Sequence, residues 1–285
     1  MKLGAILEGP MQDLQGFFVF GPQPGQPLGV RPGHSTTTLG QWDPRLRGLF
    51  TFLGHKNVSH SSESLKTDRP GLVEAGRRIE VESFRIIDRE MPDHSFSPPQ
   101  WEVVRRVIHA TGDFDFARWF RFHPRAVDAG IQALRAGASV FVDTRMIHAG
   151  LSPWRLGWFG NEVVIPAVHP DSHEWGQAMG TTRSVAAFRY VSRRMDGNIV
   201  TVGNAPTALL EVVRLIREEG LRPGLVIGVP VGFVRADESK EALWDLPDQP
   251  NITVLGRKGG STVAVAVLHA LLELARHARE EEAGE

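Results

Sequence analysis

The sequence predicts an α/β fold: a mostly parallel central sheet flanked by helices, forming a single catalytic domain behind an N-terminal extension. Three observations predict it. From about Thr67 onward, stretches with helical periodicity alternate with short, almost wholly apolar runs, the pattern of helices covering both faces of a buried sheet. The apolar runs end in loops of Gly and small polar residues, as strands do where they feed the ligand-binding edge of such a sheet. Before Thr67 this alternation is missing, and sixteen of the first 60 residues are Gly or Pro. Residues 1–66 therefore read as a Gly/Pro-rich extension and 67–285 as the catalytic domain. GPQPGQPLGVRPGHSTTTLGQ suits either a tail or a partner-binding arm, with Trp42, Phe50 and Phe52 as anchors for the latter.

The elements follow in order. GLVEAGRRIEVESFRIIDREM mixes apolar and charged positions at helical spacing, and Pro70 fits its first turn. Pro98 and Pro99 introduce a second amphipathic helix, WEVVRRVIHATGDF, with Val103, Val104, Val107 and Ile108 on its core side and His109 near its end. PRAVDAGIQALRAG predicts a helix and ASVFVDT a buried strand. TRSVAAFRYVSRR, NIVTVG and APTALLEVVRLIREEG repeat the exchange as helix, strand and helix. GLVIGVPVGF and NITVLG supply two more strands, and GSTVAVAVLHALLELARHAREEE the last helix. Crossovers between parallel strands are expected to be right-handed.

Composition narrows the function. Among 285 residues, 32 Lys and Arg balance 33 Asp and Glu, a formal charge of -1, so the whole molecule carries no field that would draw nucleic acid or an anionic membrane. With no Cys, disulfides, thiolate nucleophiles and Cys-ligated zinc or iron–sulfur centres are excluded. The start, MKLGAILEGPMQDLQGFFVF, lacks the pattern of a secretory signal, and no stretch reaches the roughly 18 apolar residues of a membrane span. A cytoplasmic location, without membrane contact, is the expectation.

The loops GNAPTA, GVPVGFVRADESK and GRKGGST each follow an apolar run and are expected to converge at the carboxyl ends of the strands. Such loops either frame a pocket or simply turn the chain. GRKGGS matches neither GxGxxG nor GxxxxGK[ST], so a nucleotide-dependent ligase or transferase has little support, and a carboxylate-rich ligand would use the same cations and amides. His169 and His173, with Asp171 and Glu174, are spaced like metal ligands on a helix. Pro170 obstructs that helix and HExxH is absent, so no metal site is assigned, although Asp143 or His148 would be the residues to complete one. Ser83, Ser184 and Ser261 lie in no GxSxG elbow. His109, in RRVIHATGD, leaves an apolar helix for a polar loop. There it serves either as a proton carrier or as a structural residue bonded to that loop.

The strings VESFRIIDRE, RRVIHATGDFDF, DTRMIHAG, TTRSVAAF, VGNAPTALLE, GVPVGFVRADESKE and GRKGGSTVAVAVLHAL, in that order over about residues 70–275, resemble the precorrin-8X methylmutase family, including its cobalt-precorrin-8 counterpart. The resemblance implies an isomerase that moves a methyl group from C11 to C12 of a corrin precursor, giving hydrogenobyrinate or its cobalt form. It implies no cofactor and no external methyl donor; cobalt, when present, belongs to the substrate. His109 matches the family's catalytic histidine. For the polycarboxylate substrate the resemblance implies contacts from Arg183, and from Arg145, Lys240, Arg257 and Lys258. Ser83 and Thr182 match polar pocket positions, and Asn204, Gly232 and Ser261 frame the pocket. The family is usually dimeric, which implies a homodimer, and transient contact with neighbouring pathway enzymes is expected. His269 stands where the family more often has Asn. A non-catalytic corrinoid carrier is the alternative.

Overall fold

A computed structural model describes residues 70–284, with side chains for 75–282. The expectations for 1–66 lie outside the described residues. The described chain divides at residue 80 into two units. Residues 70–80 contribute helical turns alone, and the fold below is that of 81–284.

In chain order the elements are α1 (Pro70–Glu90), α2 (Pro98–Thr111), α3 (Phe116–Trp119), β1 (Phe120–Phe122), α4 (Ala126–Arg135) and β2 (Val140–Val142). There follow α5 (Arg145–Gly150), α6 (Pro153–Leu156), β3 (Val163–Val164), α7 (Ser172–Ala178), α8 (Arg183–Tyr190), β4 (Ile199–Val202) and α9 (Pro206–Glu219). The chain ends with β5 (Leu225–Gly228), α10 (Ala236–Trp244), β6 (Asn251–Val254) and α11 (Ser261–Gly284). Every helix and strand the periodicity predicts over these residues is present.

The strands form one sheet in the order β1-β6-β5-β4-β2-β3. Pairings from β6 through β3 are parallel, and only the edge strand β1 runs antiparallel, placing Phe120 opposite Val254. Side chains of a strand alternate between faces, which divides the interior into two layers. Val140, Val142, Ile199, Leu225, Ile227, Ile252 and Val254 enter one layer with α2, α4 and α11. Phe141, Val164, Val200, Val202 and Val226 enter the other with α8, α9 and α10. Both faces are covered, which is why the strands read as continuous apolar runs rather than as alternating ones.

On β6 the alternation carries polar residues on its second face. Thr253 and Asn251 are fully buried there. The Thr253 hydroxyl donates to the Gly228 carbonyl at 2.6 Å, and the Asn251 amide donates to the Gln249 carbonyl at 3.0 Å, so burial leaves neither side chain without a hydrogen bond. Parallel order brings the loops after β2, β4, β5 and β6 to one edge, as the sequence predicts.

Candidate active site

His109 owes its position to the two ends of α2. Two prolines open the helix, and the Gln100 side chain accepts the Ser97 N–H at 3.1 Å. Gly112 ends it in the left-handed region, φ 64°, donating to the Ile108 carbonyl at 2.8 Å; an added Cβ would make this conformation costly. Trp101, Val103, Val104, Val107 and Ile108 are buried. His109, one position on from that stripe, is exposed in the last turn. From α1, the Ser83 hydroxyl lies 2.7 Å from His109 Nδ1, and the Phe84 ring meets the imidazole edge-on at 5.4 Å. The imidazole is thus held on one side by a hydroxyl and a phenyl ring, with Nδ1 engaged.

The loop after His109 is tied to the loop after β6. Lys258 Nζ donates to Asp113 at 2.6 Å and to Asp115 at 3.2 Å, across 145 and 143 residues of sequence. The hydrogen bond holds the Asp113 carboxyl below its ordinary value and the Lys258 ammonium above its own. The 255–260 loop is then fixed residue by residue. Gly256 N–H donates to Asp237 at 2.6 Å, Gly232 N–H to the Arg257 carbonyl at 3.1 Å, Lys240 Nζ to the Lys258 carbonyl at 2.9 Å, and Gly260 N–H to the Val229 carbonyl at 2.8 Å. The Lys240 side chain is wholly buried, and burial pushes its ammonium down to about 8, against the pull of Asp237. It therefore reaches the loop from inside, bracing the backbone that carries Lys258. Arg257 lies on the surface with its guanidinium 5.2 Å from the centre of the Phe233 ring.

At the ends of β2 and β4, Asp143 is the organising residue. Its buried carboxylate accepts the N–H groups of Gly203, Asn204 and Ala205 at 3.0, 2.8 and 2.8 Å. Burial pushes this carboxyl up, while the three amides pull the other way. Asn204 is exposed beyond this clamp, its backbone rather than its side chain making the observed bond. Next to it, Thr144 caps α5 by accepting the Ile147 N–H at 3.2 Å, and its hydroxyl lies 3.1 Å from that of Ser261, the first residue of α11. Arg145 follows, exposed. On α11, His269 Nε2 accepts the Ser152 N–H at 3.0 Å, so it fixes the entry to α6.

Thr182 and Arg183 begin α8. The Thr182 hydroxyl accepts the Val185 N–H at 3.3 Å as an N-cap. Arg183 lies on the wall of a 430 Å³ open cavity with His173 and Gln177, and Thr182 on that of a neighbouring 600 Å³ cavity with Thr207, Arg189, Glu211, Arg214 and Arg235. The His169 ring stacks on Trp175 at 4.5 Å and its Nδ1 accepts the Asp171 N–H at 3.2 Å. Among the described residues no group of three or more His, Asp or Glu is poised to hold a metal.

The structure thus joins His109 with Ser83, and Lys258, Lys240, Gly232 and Arg257 into one loop cluster that reaches the His109 loop. It sets Ser261 and Asn204 together with Thr144 and Asp143, and leaves Thr182 and Arg183 at two cavities on α8. Sequence reasoning missed the Asp143 clamp, considering Asp143 only as a distant metal ligand. It also missed Asp115 as a partner of Lys258 and Arg235 as a cavity residue. The one available signal was the placement of Asp143 directly after a buried apolar run.

Comparison with known proteins follows the same lines. The profile of the precorrin-8X methylmutase family matches residues 78–274. A cobalt-precorrin-8 methylmutase of Leptospira interrogans is 47% identical over 206 residues, covering 70% of this chain and 94% of its own length. A precorrin-8X methylmutase from a Sinorhizobium species is 38% identical over 197 residues, covering 69% and 93%. The crystal structure of a precorrin-8X methylmutase from Thermus thermophilus superposes with a TM-score of 0.65 at 52% identity, covering 70% of this chain and 98% of that one.

Proposed function

This chain belongs to the precorrin-8X methylmutase family, and from that membership we infer how its own residues carry the reaction. It is an isomerase that moves a methyl group from C11 to C12 of a precorrin-8X-type macrocycle. The C11–methyl bond breaks as the C12–methyl bond forms, and no atom enters or leaves the molecule. The demand on the protein is to bind a conjugated polycarboxylate, hold the methyl near its acceptor carbon and shift electron density in the ring.

His109 is the residue that shifts it. The observation that carries this reading is the Ser83–His109 contact of 2.7 Å at an exposed helix end. With Nδ1–H donating to the Ser83 hydroxyl oxygen, the imidazolium form of the ring holds its second proton on Nε2, pointed away from Ser83, and becomes a neutral imidazole when that proton is given up. Given to a ring nitrogen, or shared with it in a strong hydrogen bond, that proton draws electron density from the conjugated system and lowers the barrier to migration. The Lys258 bridge to Asp113 holds the next loop in register, making Lys258 a positioning residue. Arg257, Arg183 and Arg145, all exposed, take the peripheral carboxylates through charge-assisted hydrogen bonds. Lys240 acts on the same loop from within. Asn204, Gly232, Ser261 and Thr182 shape the rim.

Catalysis is assigned to the domain from residue 67 onward. The chain is read as a cytoplasmic homodimer. Absence of Cys suits a reducing compartment, no described helix is long and apolar enough to cross a membrane, and exposed Val81 and Ile86 on α1 suit a contact between copies.

Anaerobic incubation with precorrin-8X and with cobalt-precorrin-8 tests the assignment. Conversion of either to its isomer, read by absorbance and product analysis, supports it. Tight binding of product with both substrates left unchanged would instead favour a carrier.

A further inference from the structure

Among the described residues with a left-handed backbone, ten are glycines and one is not: Arg235, at φ 61°. A Cβ in this region crowds the following carbonyl, so a non-glycine residue is disfavoured there. Nothing local repays Arg235. It precedes α10 without a side-chain capping bond, and its ion partner Glu238 stands 3.5 Å away with both side chains more than half exposed, a pairing worth little in water. Backbone strain that the fold does not need is kept where a side chain has other work.

The place of Arg235 indicates that work. It lines the 600 Å³ cavity that also holds Thr182 and Thr207. The other two guanidinium groups of that wall are neutralised internally. Arg189 binds Glu211 at 2.8 and 2.9 Å, and Arg214 binds Glu211, Glu218 and Glu219 at 2.6, 3.1 and 2.8 Å. Arg235, whose carboxylate partner is exposed, adds a cation to a lining that also holds two threonines. The residues just before it, Phe233 and Val234, are 84% and 78% exposed. Guanidinium groups beside exposed apolar side chains, Arg257 lying over the Phe233 ring, match a ligand with an apolar ring and carboxylates at its edge.

We propose that Arg235 binds a carboxylate arm of the macrocycle in the cavity beside Thr182, while Phe233 and Val234 pack on the ring. The inference rests on the corrin-precursor reading given above and adds a residue to it. In this role Arg235 touches substrate distant from the migrating methyl, so it governs affinity more than the chemical step.

The test is an absorbance titration of the full-length protein with hydrogenobyrinate, with thermal unfolding of the same samples. Arg235→Gly weakens binding roughly tenfold, the loss of one charge-assisted hydrogen bond. It also raises the unfolding midpoint by about 2–4 °C as strain is released. Arg235→Lys, which keeps both charge and strain, recovers part of the affinity and none of the midpoint gain. A dissociation constant for Arg235→Gly within twofold of wild type would overturn the proposal, as would equal weakening by Gly and Lys. Because the readout is equilibrium binding, failure of the wild-type protein to move the methyl would contradict the reaction assignment without touching this result.

Discussion

Adding a single carbon to Gly259 is predicted to separate the loop after β5 from the loop after β6. A Cβ there would stand 2.3 Å from the Val229 carbonyl oxygen and 2.9 Å from that of Pro230, both backbone atoms, at φ 155°. The loops must part, which breaks the Gly260–Val229 and Gly232–Arg257 hydrogen bonds of 2.8 and 3.1 Å. Backbone strain of about 1–3 kcal/mol and about 1 kcal/mol for each lost bond give a destabilisation of roughly 3–5 kcal/mol for Gly259→Ala. In a domain of this size that lowers the unfolding midpoint by about 10 °C. Gly256→Ala is the control. Its φ is 76°, but nothing lies within 4 Å of the added carbon. Only the left-handed penalty of about 1 kcal/mol applies, a shift of roughly 2–4 °C. Thermal and urea unfolding followed by circular dichroism, with equal m-values, supply the comparison. Because Lys258 adjoins Gly259 and holds Asp113, Gly259→Ala also lowers turnover more than Gly256→Ala does. Equal midpoint shifts in the two variants would refute the packing argument.

Other substitutions test the remaining supports. Asp143→Asn leaves one oxygen for two of the three amides and turns an NH₂ group toward the third, costing about 2–4 kcal/mol in urea unfolding; an unchanged midpoint would show that the clamp contributes nothing. Lys240 has a folded value of about 8 against 10.5, so the folded state releases its proton first and gains stability as pH rises from 8 toward 10.5. Lys240→Met lacks that gain, and the stability of wild type relative to the variant grows by roughly 1–2 kcal/mol between pH 8 and 10; parallel pH curves would contradict the buried-ammonium account. Ser83→Ala frees the His109 ring and lowers kcat about fivefold with substrate affinity retained, the worth of one hydrogen bond. A changed Kd with unchanged kcat would make Ser83 a substrate contact instead.

Much of the fold is legible in the sequence because long elements carry their own periodicity. α2, α9 and α11 each bury a stripe, and β2, β4, β5 and β6 are buried at every position. β1 and β3 are not legible. They are three and two residues long, and they are strands by virtue of pairing with β6 and β2 rather than by composition. The same holds for the short α3 and α6, single turns set by their surroundings. The site divides similarly. His109, Ser83 and the Gly-rich loops appear in the sequence as motifs, and resemblance to a family gives them roles. The Lys258–Asp113 bridge and the Asp143 clamp join residues 145 and about 60 positions apart, and charge alone does not reveal a partner at that distance. Lys240, which the resemblance offers as a contact for the polycarboxylate, is buried with its Nζ on the Lys258 carbonyl, an environment that sequence does not reveal.

The central claim is that His109 drives methyl migration rather than binding. A single-turnover measurement with wild type and His109→Ala, each saturated with metal-free or cobalt-containing substrate under anaerobic conditions, addresses it directly. The account predicts that the variant binds the macrocycle within about threefold of wild type and converts it at least roughly 100-fold more slowly, the range for loss of a general acid. Conversion by His109→Ala at a near-normal rate would contradict it.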